Sequence, residues 1–417
     1  MKQLTVLYTF LSRFLMLFLN FGLVIFSTNF WGSEGKGIIS IVIANITLIA
    51  FFSSIFCGSS ISYFAKKFPK EQLMITGYFF SILIGIVLPF IINCFYPSDF
   101  TYYLVALSIV FSLLTCNISW LIGQKKMNWF NLLNVSQYVL HFSFLLILIY
   151  GFQYVNIENY FTAQILCYLV LFIISAFIVF KEFKFKSISF SKKVFLESFQ
   201  YGWKTQLSAF IQFLNYRLSY YFLDLFKGIS SVGIYSIGVA FSEAIWVISR
   251  SLSLVLYSEV INENDTETAI RRTKISLKFS FIITLFFTCF LLLIPESFFS
   301  FVFGKDFGET KLVILLLSPG IVAIALSNIV GHYFAGINEL RILNVKSLIG
   351  LLITIVGSYY LVPIYGIAGA CIVTSISYIV SSIILFRKFY AITHFDVKDF
   401  FISKMEFKSI MTKFSRK

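Results

Sequence analysis

Twelve times between residues 4 and 386 the chain runs apolar for about twenty residues, with most of its charge confined to the stretches between. Few folds tolerate that pattern. About twenty helical residues, rising 1.5 Å each, cross the ~30 Å hydrocarbon layer of a bilayer. The short alternating segments of a membrane β-barrel are absent from the sequence. Of 417 residues 59% are hydrophobic and only 12% charged, and the mean hydropathy is +0.88. Soluble domains carry about twice that charged fraction. The expectation is an all-α integral membrane protein whose backbone polar groups are satisfied inside helices.

The runs place twelve spans near 4–28, 38–64, 73–95, 101–122, 129–150, 158–180, 203–223, 233–258, 275–294, 311–335, 343–362 and 366–386. The first follows a single lysine with no small-residue cleavage site, which reads as a retained helix and not a signal peptide. Sidedness comes from the basic residues. The loops and ends on one face hold 25 lysines and arginines, among them Arg271, Arg272, Lys274, Lys278, Arg341 and Lys346, against 4 on the other: Lys36, Lys227, Lys305 and Lys311. The positive-inside rule then puts both termini in the cytoplasm. The same asymmetry accounts for the net charge of +14, so the excess is topological and no nucleic-acid partner is implied.

The chain also repeats itself. The stretch "GIISIVIA" at 37–44 returns as "GIYSIGVA" at 233–240, identical at five of eight positions, and each copy opens the second span of a six-span half. Parallel repeats of this kind occur in transporters. The expected division is an N-terminal bundle at 1–180, a cytoplasmic connection at 181–202, a C-terminal bundle at 203–386 and a basic cytoplasmic tail at 387–417. Six cysteines stand in or near separate apolar runs without a C-x-x-C pair, and read as small core residues rather than a disulfide framework or zinc site.

Apart from Lys278, Lys311 and Lys346, which stand at span ends and are counted with the loops, four cations fall inside the spans. Lys204 is close enough to an edge to snorkel. Arg13, Arg217 and Arg250 need another account, because a charge at the bilayer centre costs roughly 2.5–3.5 kcal/mol unless it faces a cavity or a partner. In span one Arg13 shares a helical face with Asn20. In span seven, Gln206, Arg217 and Asp224 fall together, and Ser208, Gln212, Asn215 and Ser219 fall on another side. One set would line a cavity and the other pack on a neighbour; the periodicity does not choose. In span eight, Glu243 and Arg250 share a seam two turns apart, too far for an easy intrahelical bridge. An ion pair of Arg217 with Glu243 across helices is the structural alternative to a binding role. Three arginines with few buried acids make a net cationic interior, and the guanidinium fork fits phosphate oxygens. An anionic ligand, phosphate or pyrophosphate, is expected. Pro319, beside Gly320, is expected to break or kink span ten.

At these residues a resemblance emerges. The stretches "YGWKTQLSAFIQFLNYRLSYYFL" (201–223), "GISSVGIYSIGVAFSEAIW" (228–246), "FWGSEGKGIISIVIA" (30–44), "FVFGKDFGETKLVILLLSPGIVAIALSNIVGHYFAG" (301–336) and "LVPIYGIAGACIVTSISYIV" (361–380) resemble Wzx-type flippases. These form the polysaccharide-transporter branch of the multidrug/oligosaccharidyl-lipid/polysaccharide exporter superfamily. The resemblance implies twelve transmembrane helices in two six-helix bundles with a central cationic cavity. It implies transport of an undecaprenyl-pyrophosphate-linked oligosaccharide from the cytoplasmic to the outer leaflet of a bacterial inner membrane. A polysaccharide polymerase and chain-length machinery would be further partners. Arg217, in the "NYRL" phrase, is the carry-over the resemblance supports best, ahead of Arg13 and Arg250.

Other functions fit less well. A cation or drug antiporter of the same fold needs acids facing its substrate, where span one offers an arginine. A membrane polymerase or glycosyltransferase needs a sizeable extramembrane loop. The sequence shows no D-x-D pattern and no nucleotide-binding glycine loop, so neither a cofactor nor a metal is expected, and no enzyme activity. A purely structural scaffold would leave the arginines unexplained.

Overall fold

The computed structural model describes residues 2–394 except 154, 182, 184–188 and 262–264; of residues 2–14, 208, 248 and 258 it describes the backbone alone. The helices run α1 (Lys2–Cys57), α2 (Ser59–Phe64), α3 (Lys70–Phe95), α4 (Thr101–Gly123), α5 (Met127–Leu146), α6 (Glu158–Phe180), α7 (Lys192–Lys227), α8 (Ile229–Ile261), α9 (Thr266–Leu293), α10 (Glu296–Phe303), α11 (Thr310–Gly336) and α12 (Leu340–Thr393). A π-helical turn, Ile147–Gly151, continues α5, and a 3-10 turn, Lys305–Glu309, precedes α11. No strand occurs among the described residues. The basic tail beyond His394 lies outside them.

α1 and α12 each hold two of the expected spans, joined at a single glycine. Gly32 takes φ 61, ψ −161 and Gly366 takes φ 56, ψ −128, conformations a residue with a Cβ avoids. Among the described residues α1, α3 to α6, α8, α9, α11 and α12 are long and apolar enough to cross a membrane; with α1 and α12 counted twice and the more polar α7 added, they make the twelve crossings of a multi-pass, all-helical membrane protein. Helix ends differ from the apolar runs where polar residues extend a helix past the hydrocarbon. α7 begins at Lys192, inside the connection expected at 181–202. α9 begins at Thr266, where the Asp265 carboxylate accepts from the amides of Glu267 and Thr268. Arg271, Arg272, Lys274 and Lys278, expected in a loop, therefore ride on the first turns of α9.

The chain folds as two compact units, 1–213 and 214–417, with the boundary inside α7. Each is built inside out relative to a soluble bundle. On α3, Thr76, Gly77, Ser81 and Gly85 are buried, while Phe79, Ile82, Leu83, Ile86 and Phe90 face outward. On α12, Ser347, Gly350, Thr354 and Ser358 are buried, with Leu348, Leu352, Ile355 and Val356 outward. Lipid solvates large apolar side chains as well as a protein core does, so helices associate through small residues and side-chain hydrogen bonds. Apolar centres persist beneath: Ile39, Ile49, Leu107, Leu114, Phe161 and Leu171 in the first unit, Leu277, Ile329, Val330, Phe334, Leu385 and Phe389 in the second. Cys57, Cys116, Cys167 and Cys371 are buried thiols, while Cys94 and Cys289 are exposed.

Pro319 lies within α11 without ending it. Proline has no N–H for the Leu315 carbonyl, four residues back. The Ser318 hydroxyl donates to that oxygen at 2.7 Å, and Ser375 of α12 donates to the next carbonyl, Leu316, at 2.6 Å. The expected break is thus bridged by side chains.

Candidate functional site

The second unit gathers the charged residues that the sequence marked in spans seven and eight. Arg217 of α7 meets Glu243 of α8: Nη2 donates to Oε2 at 3.0 Å, and Nη1 stands 2.8 Å from Oε1. One charge-assisted hydrogen bond and a second close approach make this a tight ion pair. The side chains are 24% and 33% exposed, so the pair is sheltered but not sealed. The Arg217 guanidinium also lies over the Tyr220 ring, 5.3 Å from its centroid.

The two polar faces of α7 now separate by role. Asn215 is 2% exposed, and its Oδ1 accepts from Thr354 at 2.6 Å and from Ser377 at 2.9 Å, both on α12. Ser219, one turn on, pairs with Thr374 of α12 at 3.2 Å. Asn215 therefore links helices, which differs from the binding role expected of it, because hydrogen bonding between helices holds membrane bundles together where the hydrophobic effect cannot. The Arg217 side of α7 faces α8 instead.

Arg250, two turns beyond Glu243 on α8, has a different setting. Its guanidinium lies over Trp246, 5.6 Å from the ring centroid, with the Tyr216 hydroxyl in reach. It is exposed, and among the described residues no carboxylate pairs with it. Tyr216, Trp246 and Tyr378 form a contiguous aromatic group, with ring centroids 5.2 to 5.6 Å apart. The Trp246 indole N–H is buried without a partner. Chemically this is an open cation backed by buried aromatic rings, and its guanidinium fork is suited to phosphate oxygens.

The other expected site residues lie apart from this group. Asp224 is half-buried, two turns further along α7. Gln206 is half-buried on the part of α7 that belongs to the first unit. Asn20 is exposed on α1, and the Arg13 side chain lies outside the described residues. Sequence reasoning missed Trp246 and Tyr378. A tryptophan four residues before a mid-span arginine was the available signal for the first, since i and i+4 share a helical face; nothing local marks Tyr378.

Several solved structures share this architecture. The lipid II flippase MurJ, in an inward closed conformation, aligns with a TM-score of 0.74 at 18% identity, covering 99% of this chain and 92% of that one. A multidrug resistance MATE family transporter of the MOP superfamily, inward-facing, aligns with a TM-score of 0.72 at 16% identity, covering 91% and 94%. At such identities the likeness establishes the fold. The capsular polysaccharide biosynthesis protein CapF of Staphylococcus aureus is 27% identical over 160 residues, which is 36% of this chain and 40% of CapF. The model of the polysaccharide biosynthesis protein family matches residues 5–258, well over half of the chain, and the protein belongs to that family.

Proposed function

We propose that the protein is a flippase that carries polyprenyl-pyrophosphate-linked oligosaccharides, of O-antigen or capsule type, from the cytoplasmic to the outer leaflet of a bacterial inner membrane. The carrying observation is Arg250: an exposed guanidinium in the middle of an apolar span, without a carboxylate, beside a tryptophan and two tyrosines. A cation kept there at a cost of roughly 2.5–3.5 kcal/mol needs an anionic ligand to justify it, and a diphosphate carries the oxygens its fork fits. Family membership supplies the saccharide, and the fold shared with a lipid II flippase supplies the lipid carrier. The headgroup would meet the Arg250 cluster while the polyprenyl chain stays in lipid. Rocking of the two sequence halves about the substrate would give alternating access. The protein acts as a transporter and makes or breaks no covalent bond of its substrate. Glu243, which a cation antiporter would need free, is held by Arg217.

The test is reconstitution. Vesicles carry a fluorescent oligosaccharide on a polyprenyl diphosphate, and a membrane-impermeant reductant bleaches whatever reaches the outer leaflet. Wild-type protein should bleach the inner pool within minutes, and Arg250→Ala should slow this about tenfold, the loss of one charge-assisted contact. Bleaching no faster than in empty vesicles overturns the reading, as does equal transport of the same oligosaccharide on a neutral isoprenol.

A further inference from the structure

Lys346 was expected in the loop between spans ten and eleven. The structure instead buries it: the side chain lies two turns into α12, the residue is 8% exposed, and Nζ donates to the Ser327 hydroxyl of α11 at 3.1 Å. Among the described residues no carboxylate pairs with it. Two acids at this end of the unit are engaged elsewhere, Glu259 with Arg272 and Glu339 with Lys388, and Asp265 caps α9. An ammonium withdrawn from water and held by one neutral hydroxyl is strongly disfavoured, and most of its donor capacity goes unused.

The neighbouring residues point the same way. Asn328, next to Ser327 on α11, has its side-chain Nδ2 buried with no hydrogen-bond partner. One turn on, the His332 ring nitrogen Nδ1 bonds the Asn328 carbonyl at 2.8 Å, which leaves the far nitrogen free for another partner. His332 packs edge-on against Tyr257, and both Lys346 and Arg250 lie within electrostatic range of its ring. Lysine, asparagine amide, imidazole and guanidinium thus converge on one end of the second unit without an acid among them. Donors left unmet in a buried site are costly in a protein that never binds an acceptor there.

We propose that Lys346, Asn328 and His332, with Arg250 at the mouth, form a second anion site for a phosphate-type ligand, at the end of the unit that carries Arg341 and Arg387. The proposal rests on the flippase reading: the diphosphate of the lipid-linked substrate would be held here before it reaches Trp246 and Tyr216. The shared chemistry is a diphosphate, whether free or lipid-borne. Lysine contributes as a compact point charge and Asn328 as a neutral donor pair, a softer hold than a bidentate arginine and one that lets a transported group leave.

The experiment uses the full chain in neutral-lipid nanodiscs. Two probes are titrated, inorganic pyrophosphate and geranylgeranyl diphosphate, against wild type, Lys346→Met, Lys346→Arg and Asn328→Leu. Wild type should bind both. Lys346→Met should weaken both about tenfold or more, Asn328→Leu should weaken both by less, and Lys346→Arg should retain most of the affinity. Tighter binding of geranylgeranyl diphosphate assigns the site to a lipid headgroup, and equal binding assigns it to free diphosphate. Thermal unfolding without ligand separates structure from binding: Lys346→Met should melt no lower than wild type, because methionine fills similar space and needs no counter-charge. A variant that melts well below wild type and binds poorly in proportion makes Lys346 a structural residue and overturns the site. Wild type that moves the labelled lipid while Lys346→Met binds within about twofold of it overturns the site and leaves the flippase reading standing. Protein that binds diphosphate through Lys346 but moves no lipid keeps the site and overturns the flippase reading.

Discussion

Arg217 and Arg250 lie on adjacent helices and carry the same charge, yet the structure predicts opposite outcomes for their loss. Arg217 is half of an ion pair, so Arg217→Ala leaves Glu243 charged and alone in a sheltered place. For a pair this accessible the destabilisation should be about 2 kcal/mol, below the 3–5 kcal/mol of a fully buried one, and membrane abundance should fall. Arg217→Ala with Glu243→Ala should recover abundance, read by immunoblot of membranes; a double variant as scarce as the single one would show that the pair is not what holds Arg217. Arg250→Ala should leave abundance unchanged, because the residue is exposed and pairs with no acid, and should lower transport. The presence of charge within the spans was legible from the sequence, because any arginine in an apolar run stands out. Which arginine is neutralised was not. Pairing depends on how α7 turns against α8, and periodicity places residues on a face without naming the helix opposite. Lys346 was misplaced for a related reason: a lysine at the edge of an apolar run reads as loop, and only packing against Ser327 shows it buried.

At the scale of elements the repeat reaches deeper than its matching letters. Aligning 37–44 with 233–240 sets Gly32 opposite Gly228, and both take positive φ, at 61° and 84°. The same device turns the first span of each sequence half into the second. Nothing lies within 4 Å of a Cβ built on Gly228, so the requirement there is conformational and not steric. Gly32→Ala and Gly228→Ala should each cost about 1–3 kcal/mol, the penalty for a side chain in positive-φ backbone, read as a lower melting temperature of the purified protein. Unchanged melting in both would mean that the joins relax freely. Asp265, capping α9 on the aqueous side, adds a pH dependence. Its bonds to the Thr268 hydroxyl and to the Thr268 and Glu267 amides hold the carboxyl below the usual aspartate range. A depressed folded pKa stabilises above the unfolded value and loses that support as pH falls through the folded one. The Glu267 and Thr268 amides should therefore exchange hydrogen faster on acidification once intrinsic rates are corrected, and Asp265→Asn should flatten the effect. The sequence showed where helices cross the membrane. It did not show that α7 and α9 start well outside the apolar run, because hydropathy marks the lipid boundary and capping marks the helix end.

At the scale of the whole molecule the basic residues predict an orientation. Reporter fusions at Lys186 should read cytoplasmic and at Lys227 external, following the 25-to-4 distribution of lysine and arginine. The reverse pattern would invert every statement about leaflets. Removing residues 395–417 should leave transport intact, since the basic, phenylalanine-rich tail reads as a membrane-surface segment that aids retention or partner contact; lost export at normal protein level would refute that. The inside-out construction of each unit was foreseeable from composition alone, whereas the division at Phe213, within α7 rather than at the lysine-rich connection, was not. A long helix shared by two compact units leaves no trace in hydropathy.

The glycine joins also decide how the molecule presents itself to its surroundings. Gly32, Gly228 and Gly366 all lie on the face reached after an odd-numbered span, the one the charge distribution turns outward. There the chain reverses without paying out a loop. Proteases need an extended, flexible strand to seat in their clefts, and antibodies need a protruding surface. On that face, among the described residues, the longer connections are those near 96–100 and 304–309. Spheroplasts treated with protease should yield fragments cut at those places and none at the three glycines. The same economy leaves that face with little for an antibody or a protease to hold.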